Sequence, residues 1–188
     1  TRENRPDGTA TTWEYAYCSS GCDSRVRLYV IERARDTSNN VVRTDTLYLD
    51  QDDRPIYEYR QALGGAQSVT TRAYNALGLV HREYFPFWSA GPDNGYATHA
   101  YDALGRRTST SRPVSDSDPT LQTQYIYYEG LTTRTVDELS KQTTHVADAL
   151  GQIARSIDHN GYYQSFDHDA FGNPVRVISE PGLNIKMP

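Results

Sequence analysis

A chain of 188 residues with a net charge of −5 and a mean hydropathy of −0.73 is long enough for one ordinary domain but too polar for a thick, closed core. Its 15 tyrosines and 11% aromatic content argue against disorder, and its evenly spread negative charge argues against nucleic acid as the main partner. No run of residues approaches the roughly 20 apolar positions of a transmembrane helix, so we expect no membrane insertion.

Residues 1–35 are the least regular part of the chain. They contain both cysteines, Cys18 and Cys22, on either side of a Ser-Ser-Gly turn. Such a turn can bring two strand ends within the ~4.4–6.8 Å Cα separation of a disulfide, so a local disulfide is predicted. Two free thiols and a metal site stay open as alternatives. Because the chain begins without Met or an apolar leader, we expect it to be a piece of a longer protein.

A short string recurs along the chain, in which Asp or Asn is followed by two residues and then Gly. Copies lie at 74–78, 101–106, 148–152 and 169–173, and a degenerate copy that lacks the glycine lies at 49–54. The first side chain can accept a hydrogen bond from the backbone N–H two residues later, and Gly tolerates the positive φ that closes a tight loop. Each string is therefore predicted to be the turn of a β-hairpin. The predicted turn residues are Asp50, Asn75, Gly78, Asp102, Gly105, Asp148, Gly151, Asp169 and Gly172.

The spacing of these turns predicts the fold. Further turns are predicted at 36–40, 137–140 and 158–161. The leading residues Asp137, Asp148, Asp158 and Asp169 are 11, 10 and 11 positions apart, which leaves about six residues per strand after each turn. Between the turns, apolar and polar residues alternate with a period of two, and no window shows the apolar stripe of a helix. We therefore predict an all-β chain, a meander of short antiparallel β-hairpins with almost no helix. The apolar Leu or Phe inside each turn is expected to fold back onto the sheet.

Two segments interrupt this rhythm and are predicted to be long loops, at about 85–95 and 111–119. The first contains Phe87 and Trp88 among prolines and glycines. Its rings are expected to pack on the sheet edge, although an aromatic loop of this kind could instead bind a sugar or a partner protein. The second segment is polar and is expected to be exposed.

Two of the strings resemble a known repeat. They are Tyr101-Asp102-Ala103-Leu104-Gly105-Arg106 and Asp169-Ala170-Phe171-Gly172-Asn173. Both resemble the YD repeat of the Rhs family, whose members include bacterial Rhs polymorphic toxins, the B and C components of Tc insecticidal toxins, cell-wall-associated bacterial proteins and the teneurins. The resemblance covers about residues 36–180. The chain departs from the motif where Ala147 and His168 replace its Tyr and Ser140 replaces its Gly.

The resemblance implies that residues 1–188 are a single repeat segment whose sheet curves or spirals into the wall of a hollow shell. In this family the shell often encloses a toxic C-terminal segment. The implied partners are therefore the remainder of the parent shell and its enclosed toxin, and the implied location is bacterial, secreted or at the cell surface. The self-cleaving core domain of toxin-releasing members has no match here. The chain would then be a structural, non-enzymatic part of a wall that encapsulates or presents a toxin or effector.

Catalytic and metal chemistry is not indicated by the sequence. The five histidines are scattered, and no Gly-x-Ser-x-Gly elbow or His-Glu-x-x-His pair is present. A divalent-metal site at His159 and His168, or calcium at the acidic turn 50–53, would have too few ligands for a closed site. We predict no catalytic residues, no metal and no cofactor.

Two further possibilities concern partners. Open sheet edges present unpaired backbone groups and could pair with another copy of the chain. The main alternative function is a carbohydrate- or cell-surface-binding β module that uses exposed Tyr and Trp side chains, in which case glycans would be the partners.

Overall fold

The computed structural model describes residues 1–91, 95–115 and 117–179, apart from the side chain of Leu63, together with the backbone of Leu183–Lys186. The strands are β1 (Arg2–Asn4), β2 (Ala10–Tyr17), β3 (Leu28–Arg35), β4 (Val41–Leu49), β5 (Pro55–Gln61), β6 (Gln67–Tyr74), β7 (Val80–Tyr84), β8 (Phe87–Trp88), β9 (Tyr96–Tyr101), β10 (Arg107–Ser115), β11 (Asp118–Glu129), β12 (Thr132–Val136), β13 (Gln142–Ala147), β14 (Ile153–Ile157), β15 (Tyr163–His168), β16 (Pro174–Ser179) and β17 (Leu183–Lys186). Within the described residues the one helical element is a 3-10 turn at Leu63–Gly65. The predicted all-β class is confirmed.

Successive strands pair as antiparallel hairpins. Each strand pairs with the next along the chain from β1 to β7, and again from β11 to β17. Strand β6 also pairs with β8, and β7 pairs with β9. At several hairpins the register shifts by one residue beside the turn, for example between Tyr48 and Leu49 and between Ala73 and Tyr74. Such a bulge increases the local twist of the strands. The predicted meander is confirmed.

The chain divides into two compact units. Unit 1 comprises Thr1–Thr98 with Ser115–Pro119, and unit 2 comprises His99–Val114 with Thr120–Pro188. Each unit has buried residues of its own, such as Ile56 and Val69 in unit 1 and Val177 in unit 2. A division of this kind follows when each group of hairpins packs around its own apolar contacts.

The apolar core is thin in both units. The buried hydrophobic residues among those described are Ala10, Ile56, Val69, Ala97 and Val177. Apolar burial therefore contributes less than in a two-layer domain of this length, and the backbone hydrogen bonds of the strands carry more of the fold. Contacts between side chains on neighbouring strands are the second stabilising feature.

Strands occupy most of the loop predicted at 111–119. Residues 111–115 belong to β10 and residues 118–119 to β11, while residue 116 lies outside the described residues. The prediction is wrong for the described part because Ser and Thr can bond across a strand pair, as Ser111 and Thr123 do with hydroxyl oxygens 2.8 Å apart. A polar composition alone does not exclude a strand.

The other predicted loop, at 85–95, contains the short strand β8. Phe87 and Trp88 extend the ladder of β6 by pairing with Val69 and Ser68. Residues 92–94 of this segment lie outside the described residues.

Candidate functional site: the repeat turns and the sheet faces

The turn at 102–106 illustrates how the repeat folds. The backbone N–H of Asp102 donates to the carbonyl of Arg106 at 2.9 Å, and the N–H of Gly105 donates to the carbonyl of Asp102 at 3.0 Å. The Asp102 carboxylate then accepts the backbone N–H groups of Leu104 and Arg106, each at 2.9 Å. Gly105 has φ of 77°, a left-handed conformation that favours glycine. The Asp and the Gly of the string therefore close a five-residue turn.

The same pair of backbone hydrogen bonds recurs along the chain. It closes turns 5–9, 36–40, 50–54, 62–66, 75–79, 102–106, 137–141, 148–152, 158–162 and 169–173. The fourth residue has positive φ in each, although it is Asn39, Asp53 or Ser140 in three of them. The nine predicted turn residues occupy the first or fourth place of these turns.

Two of these turns were not predicted from the sequence. The first residue of turn 5–9 is Arg5 and that of turn 62–66 is Ala62, and neither offers a side-chain acceptor for the turn. Their fourth residues, Gly8 and Gly65, have φ of 84° and 85°. The sequence signal that could have identified these two turns is the glycine in the fourth place, which occurs there without a leading Asp or Asn.

The fifth residue of the turn completes the network around the Asp carboxylate. Arg106 Nε donates to Asp102 at 2.7 Å, and Arg54 Nε donates to Asp50 at 2.8 Å. Asn173 makes the equivalent contact with Asp169 at 3.0 Å. These carboxylates are therefore engaged by the turn itself and are poorly placed to act as acids, bases or metal ligands.

The pKa values of these carboxyl groups reflect the network. The backbone N–H of Arg106 lowers the pKa of Asp102, and the Arg106 side chain lowers it further. Burial would raise the pKa of Asp50, but hydrogen bonds from the Arg54 side chain and backbone outweigh this effect and lower it. These two turns therefore favour the ionised form of Asp50 and of Asp102.

A tyrosine from the neighbouring hairpin stacks on the turn arginine. The Arg54 guanidinium lies 4.7 Å from the ring centroid of Tyr74, whose hydroxyl donates to the carbonyl of Pro55 at 2.8 Å. In unit 2, Arg106 lies 4.2 Å from the ring centroid of Tyr128, whose hydroxyl donates to the carbonyl of Arg107 at 3.1 Å. We call this arrangement the Arg–Tyr clasp. It joins one hairpin turn to the next turn on the same side of the sheet.

The apolar third residue of the turn points away from the sheet. Leu77, Leu104, Leu150 and Phe171 are 69%, 78%, 78% and 90% exposed. The expectation that these side chains fold back onto the sheet is wrong, because the backbone N–H of this residue donates inward to the Asp or Asn side chain. The side chain is therefore held at the outer tip of the turn.

Several of these tips lie along one edge of unit 2. Turns in a meander alternate between the two edges, so turns 102–106, 130–131, 148–152 and 169–173 share an edge. A side-chain methyl placed on Gly172 would lie 2.9 Å from Gln152 Nε2, which shows how closely the last two turns approach. The exposed Leu131 also lies on this edge. We call Leu104, Leu131, Leu150 and Phe171 the apolar rim.

Cys18 and Cys22 form a disulfide with their Cα atoms 6.2 Å apart. The following residues form a compact network, in which Asp23 accepts Arg25 Nε at 2.9 Å and the hydroxyl of Tyr57 at 2.6 Å. Hydrogen bonds from the Arg25 side chain and from Tyr57 hold the pKa of Asp23 far below its usual value. This loop is thereby attached to β5 of the sheet.

No metal site emerges in the described part of the chain. It contains no group of three or more His, Cys, Asp or Glu side chains that could hold a metal ion. His159 lies in the turn before β15 and His168 lies at the far end of that strand, so a whole strand of about 17–20 Å separates them. The acidic turn 50–53 uses Asp50 for its own hydrogen bonds and for Arg54.

The two predicted binding residues of the aromatic segment lie on opposite faces of the sheet, because successive strand residues alternate. Trp88 lies opposite Ser68 and is 56% exposed. Phe87 lies opposite Val69 and is half-buried in a cleft that Tyr57 and Tyr84 also line.

The face of unit 1 that carries Phe87 is rich in tyrosine. The rings of Tyr29, Tyr48, Tyr57 and Tyr59 form a cluster whose centroid separations are 5.9, 6.4 and 5.6 Å. Burial raises the pKa of Tyr48 in the middle of this cluster. The opposite face, which carries Trp13, Tyr15 and Trp88, also has ion pairs, such as Arg43 with Asp45 at 3.1 Å.

Similarity to solved structures extends over most of the chain. The crystal structure of TcdB2–TccC3 shares 16% identity, with a TM-score of 0.64 over 90% of this chain and 11% of that chain. The structure of a variant of the Photorhabdus luminescens Tc holotoxin pore shares 16% identity, with a TM-score of 0.63 over 83% of this chain and 10% of that chain. The crystal structure of TcdB2–TccC3–Cdc42 shares 15% identity, with a TM-score of 0.61 over 84% of this chain and 10% of that chain.

No protein-family model matches the sequence, and no curated protein matches it. Within the described residues, no helix has the length and apolar character needed to cross a membrane. The chain spans about a tenth of the solved chains that it resembles. At this level of identity the likeness establishes a shared fold: this chain has the all-β hairpin architecture found in components of Tc toxin complexes.

Proposed function

We propose that this chain is a structural, non-enzymatic wall segment of a YD-repeat shell of the Rhs type, which encapsulates or presents a toxin or effector. Its partners are the remainder of the parent shell and the segment enclosed by it. The parent protein is bacterial and acts in secreted form or at the cell surface.

Two features support this proposal. The fold resembles that of Tc toxin components over most of the chain. The repeat turns use their carboxylates to close hairpins, so the residues most reminiscent of acid–base chemistry have a structural role instead.

The apolar rim is the main structural support for the wall assignment. Four large apolar side chains stand at the tips of turns along one edge of unit 2, and Phe171 is 90% exposed. Burying each fully would stabilise an assembly by about 1.5–3 kcal/mol, whereas an isolated sheet gains nothing from them. Clustered exposed apolar groups are typical of protein contact surfaces. The next tier of the same repeat sheet is the occupant that we propose for this rim.

Protection of the enclosed segment tests the proposal. Digesting the full gene product that contains this chain with a nonspecific protease should leave both the wall and an enclosed segment intact. Replacing Leu150→Asp and Phe171→Asp together should expose that segment and accelerate its cleavage by about tenfold or more, because each charge opposes burial of the rim.

The control is Leu121→Asp, which changes an equally apolar and 63% exposed residue of β11 away from the rim. This variant should retain the protection of the unmodified protein. The proposal fails if the full gene product protects no segment, or if the rim variant and the control variant are digested at the same rate.

A further inference from the structure

One row of side chains crosses the ion-paired face of unit 1. The register places Trp13 beside Glu32 and Glu32 beside Asp45. The pairing of Thr46 with Tyr59 puts Asp45 next to Arg60, and Arg60 lies opposite Ser68. Ser68 in turn lies opposite Trp88. The row Trp13, Glu32, Asp45, Arg60, Ser68 and Trp88 therefore begins and ends with tryptophan, and we call it the tryptophan row.

The row is long and open. Five interstrand steps of ~4.8 Å separate its ends by roughly 24 Å. A cavity of about 630 Å³ lies over its first part and is lined by Trp13, Tyr15, Glu32 and Asp45. Tyr15 is 60% exposed and extends the aromatic surface along β2. A ligand that touches both tryptophans must be extended and must lie across the strands.

The charges of this face are paired within the protein. Glu32 accepts the indole N–H of Trp13 at 3.0 Å and lies 3.5 Å from Arg43. Arg43 also lies 3.1 Å from Asp45, and Arg60 lies 2.6 Å from Glu58. The row therefore offers neither a cation nor an anion a free opposite charge, while the outer oxygens and N–H groups of these pairs remain available for hydrogen bonds.

An uncharged, hydroxyl-rich ligand with flat apolar faces matches these features. Sugar rings present C–H faces that can stack on indole and phenol rings, and their hydroxyl groups pair with the donors and acceptors of carboxylate and guanidinium groups. We propose that the tryptophan row binds a neutral oligosaccharide laid across strands β2 to β8. This goes beyond the wall function, which requires no ligand on this face.

The tryptophans themselves report binding, because the chain contains only these two. Titrating the protein with chito-oligosaccharides and cello-oligosaccharides, from monomer to hexamer, should shift and saturate the tryptophan emission. Affinity should rise with chain length, since only the longer oligomers reach both ends of the row. A monosaccharide that binds as tightly as the hexamers would contradict the extended site.

Substitutions locate the site. Trp88→Ala should weaken binding of the longest active oligosaccharide by about tenfold, the equivalent of about 1.4 kcal/mol, with Trp13 emission as the remaining signal. Tyr162→Ala removes an exposed ring from unit 2 and serves as the control, with unchanged affinity. Circular dichroism establishes that both variants keep the sheet.

The proposal is overturned if no neutral oligosaccharide changes the emission at millimolar concentration, or if Trp88→Ala binds as tightly as the unmodified protein. Tighter binding of heparin or of an acidic peptide than of any neutral sugar would also overturn it. Cleavage of the enclosed segment does not depend on this site, so failure here leaves the wall function intact.

Discussion

At the level of single residues, the fourth position of the turn sets the backbone. Gly105 has φ of 77°, where a β-branched side chain is strained. Gly105→Val should therefore lower the free energy of unfolding by ~1–3 kcal/mol, measured by urea denaturation. An unchanged urea midpoint would contradict the turn geometry.

Ser140 supplies the reverse experiment. It occupies the same fourth position with φ of 62°, although serine carries the left-handed strain that glycine avoids. Ser140→Gly should raise the free energy of unfolding by up to ~1 kcal/mol, because relief of strain exceeds the added chain entropy of glycine. The opposite signs at Gly105 and Ser140 separate a backbone effect from general damage to the turn.

The ionisable Asp at the first position of the turn makes the stability of the fold depend on pH. The pKa of Asp102 is lower in the folded protein, so its contribution to stability is complete above the unfolded-state pKa of ~3.9 and is lost as the pH falls through the folded-state pKa. Urea midpoints should stay level above about pH 5 and fall below about pH 4. Asp102→Asn, which retains the oxygen acceptor but cannot ionise, should reduce this fall.

Asn75→Asp is the matched control, since Asn75 already closes its turn with the same two backbone hydrogen bonds. Adding an ionisable group there should enlarge the loss of stability in acid. Identical pH profiles for the two variants and the unmodified chain would rule out the proposed ionisation.

The local part of each turn could be predicted from the sequence because its hydrogen bonds lie within five residues. Asp102 and Gly105 are examples, since each acts on its immediate neighbours. The outward direction of Leu104 could not be predicted, because an apolar side chain in a polar turn usually suggests burial. The side chain points outward because the backbone N–H of Leu104 donates inward to the Asp102 carboxylate, and the sequence alone does not show this.

At the level of the hairpin, the Arg–Tyr clasp explains why a repeat string begins with Tyr and ends with Arg. Tyr74 stands first in its own string and stacks on Arg54, the last residue of the preceding string on that side of the sheet. Where Gln152 replaces the arginine, His168 replaces the tyrosine that would face it. At this pair of turns neither half of the clasp is present.

A double-mutant cycle measures the clasp. Arg106→Met and Tyr128→Leu should each destabilise unit 2, and their effects should be coupled by ~0.5–1 kcal/mol because the cation–π contact is lost only once. Arg106→Met and Tyr163→Leu should be additive, since Tyr163 stacks on Arg155 instead. Additivity at the Arg106–Tyr128 pair would contradict the clasp.

The sequence predicted strand spacing better than it predicted pairing. The ten- and eleven-residue intervals come from local turn chemistry, and they recur in the structure. The strands at 111–119 and the tryptophan row depend on which residues lie opposite each other, as Ser111 and Thr123 do. Such partners are distant in the sequence, and no local pattern specifies them.

For the whole molecule, a thin core and an exposed apolar rim are more typical of one section of a larger sheet than of an independently stable domain. Few hydrophobic residues among those described are buried, whereas Leu150 and Phe171 are held out at turn tips. Growth by addition of hairpins would cover such groups with the neighbouring part of the sheet, as in other repeat proteins. Burial of these groups against a neighbouring part of the sheet is what the proposed wall function requires.

Electron cryo-microscopy of the full gene product that contains this chain tests the wall assignment most directly. We expect unit 2 to lie within a β-sheet wall around a closed lumen, with Leu150 and Phe171 buried against another tier of the same sheet. A map that shows the apolar rim in solvent, with no enclosed volume beside unit 2, would contradict the wall assignment.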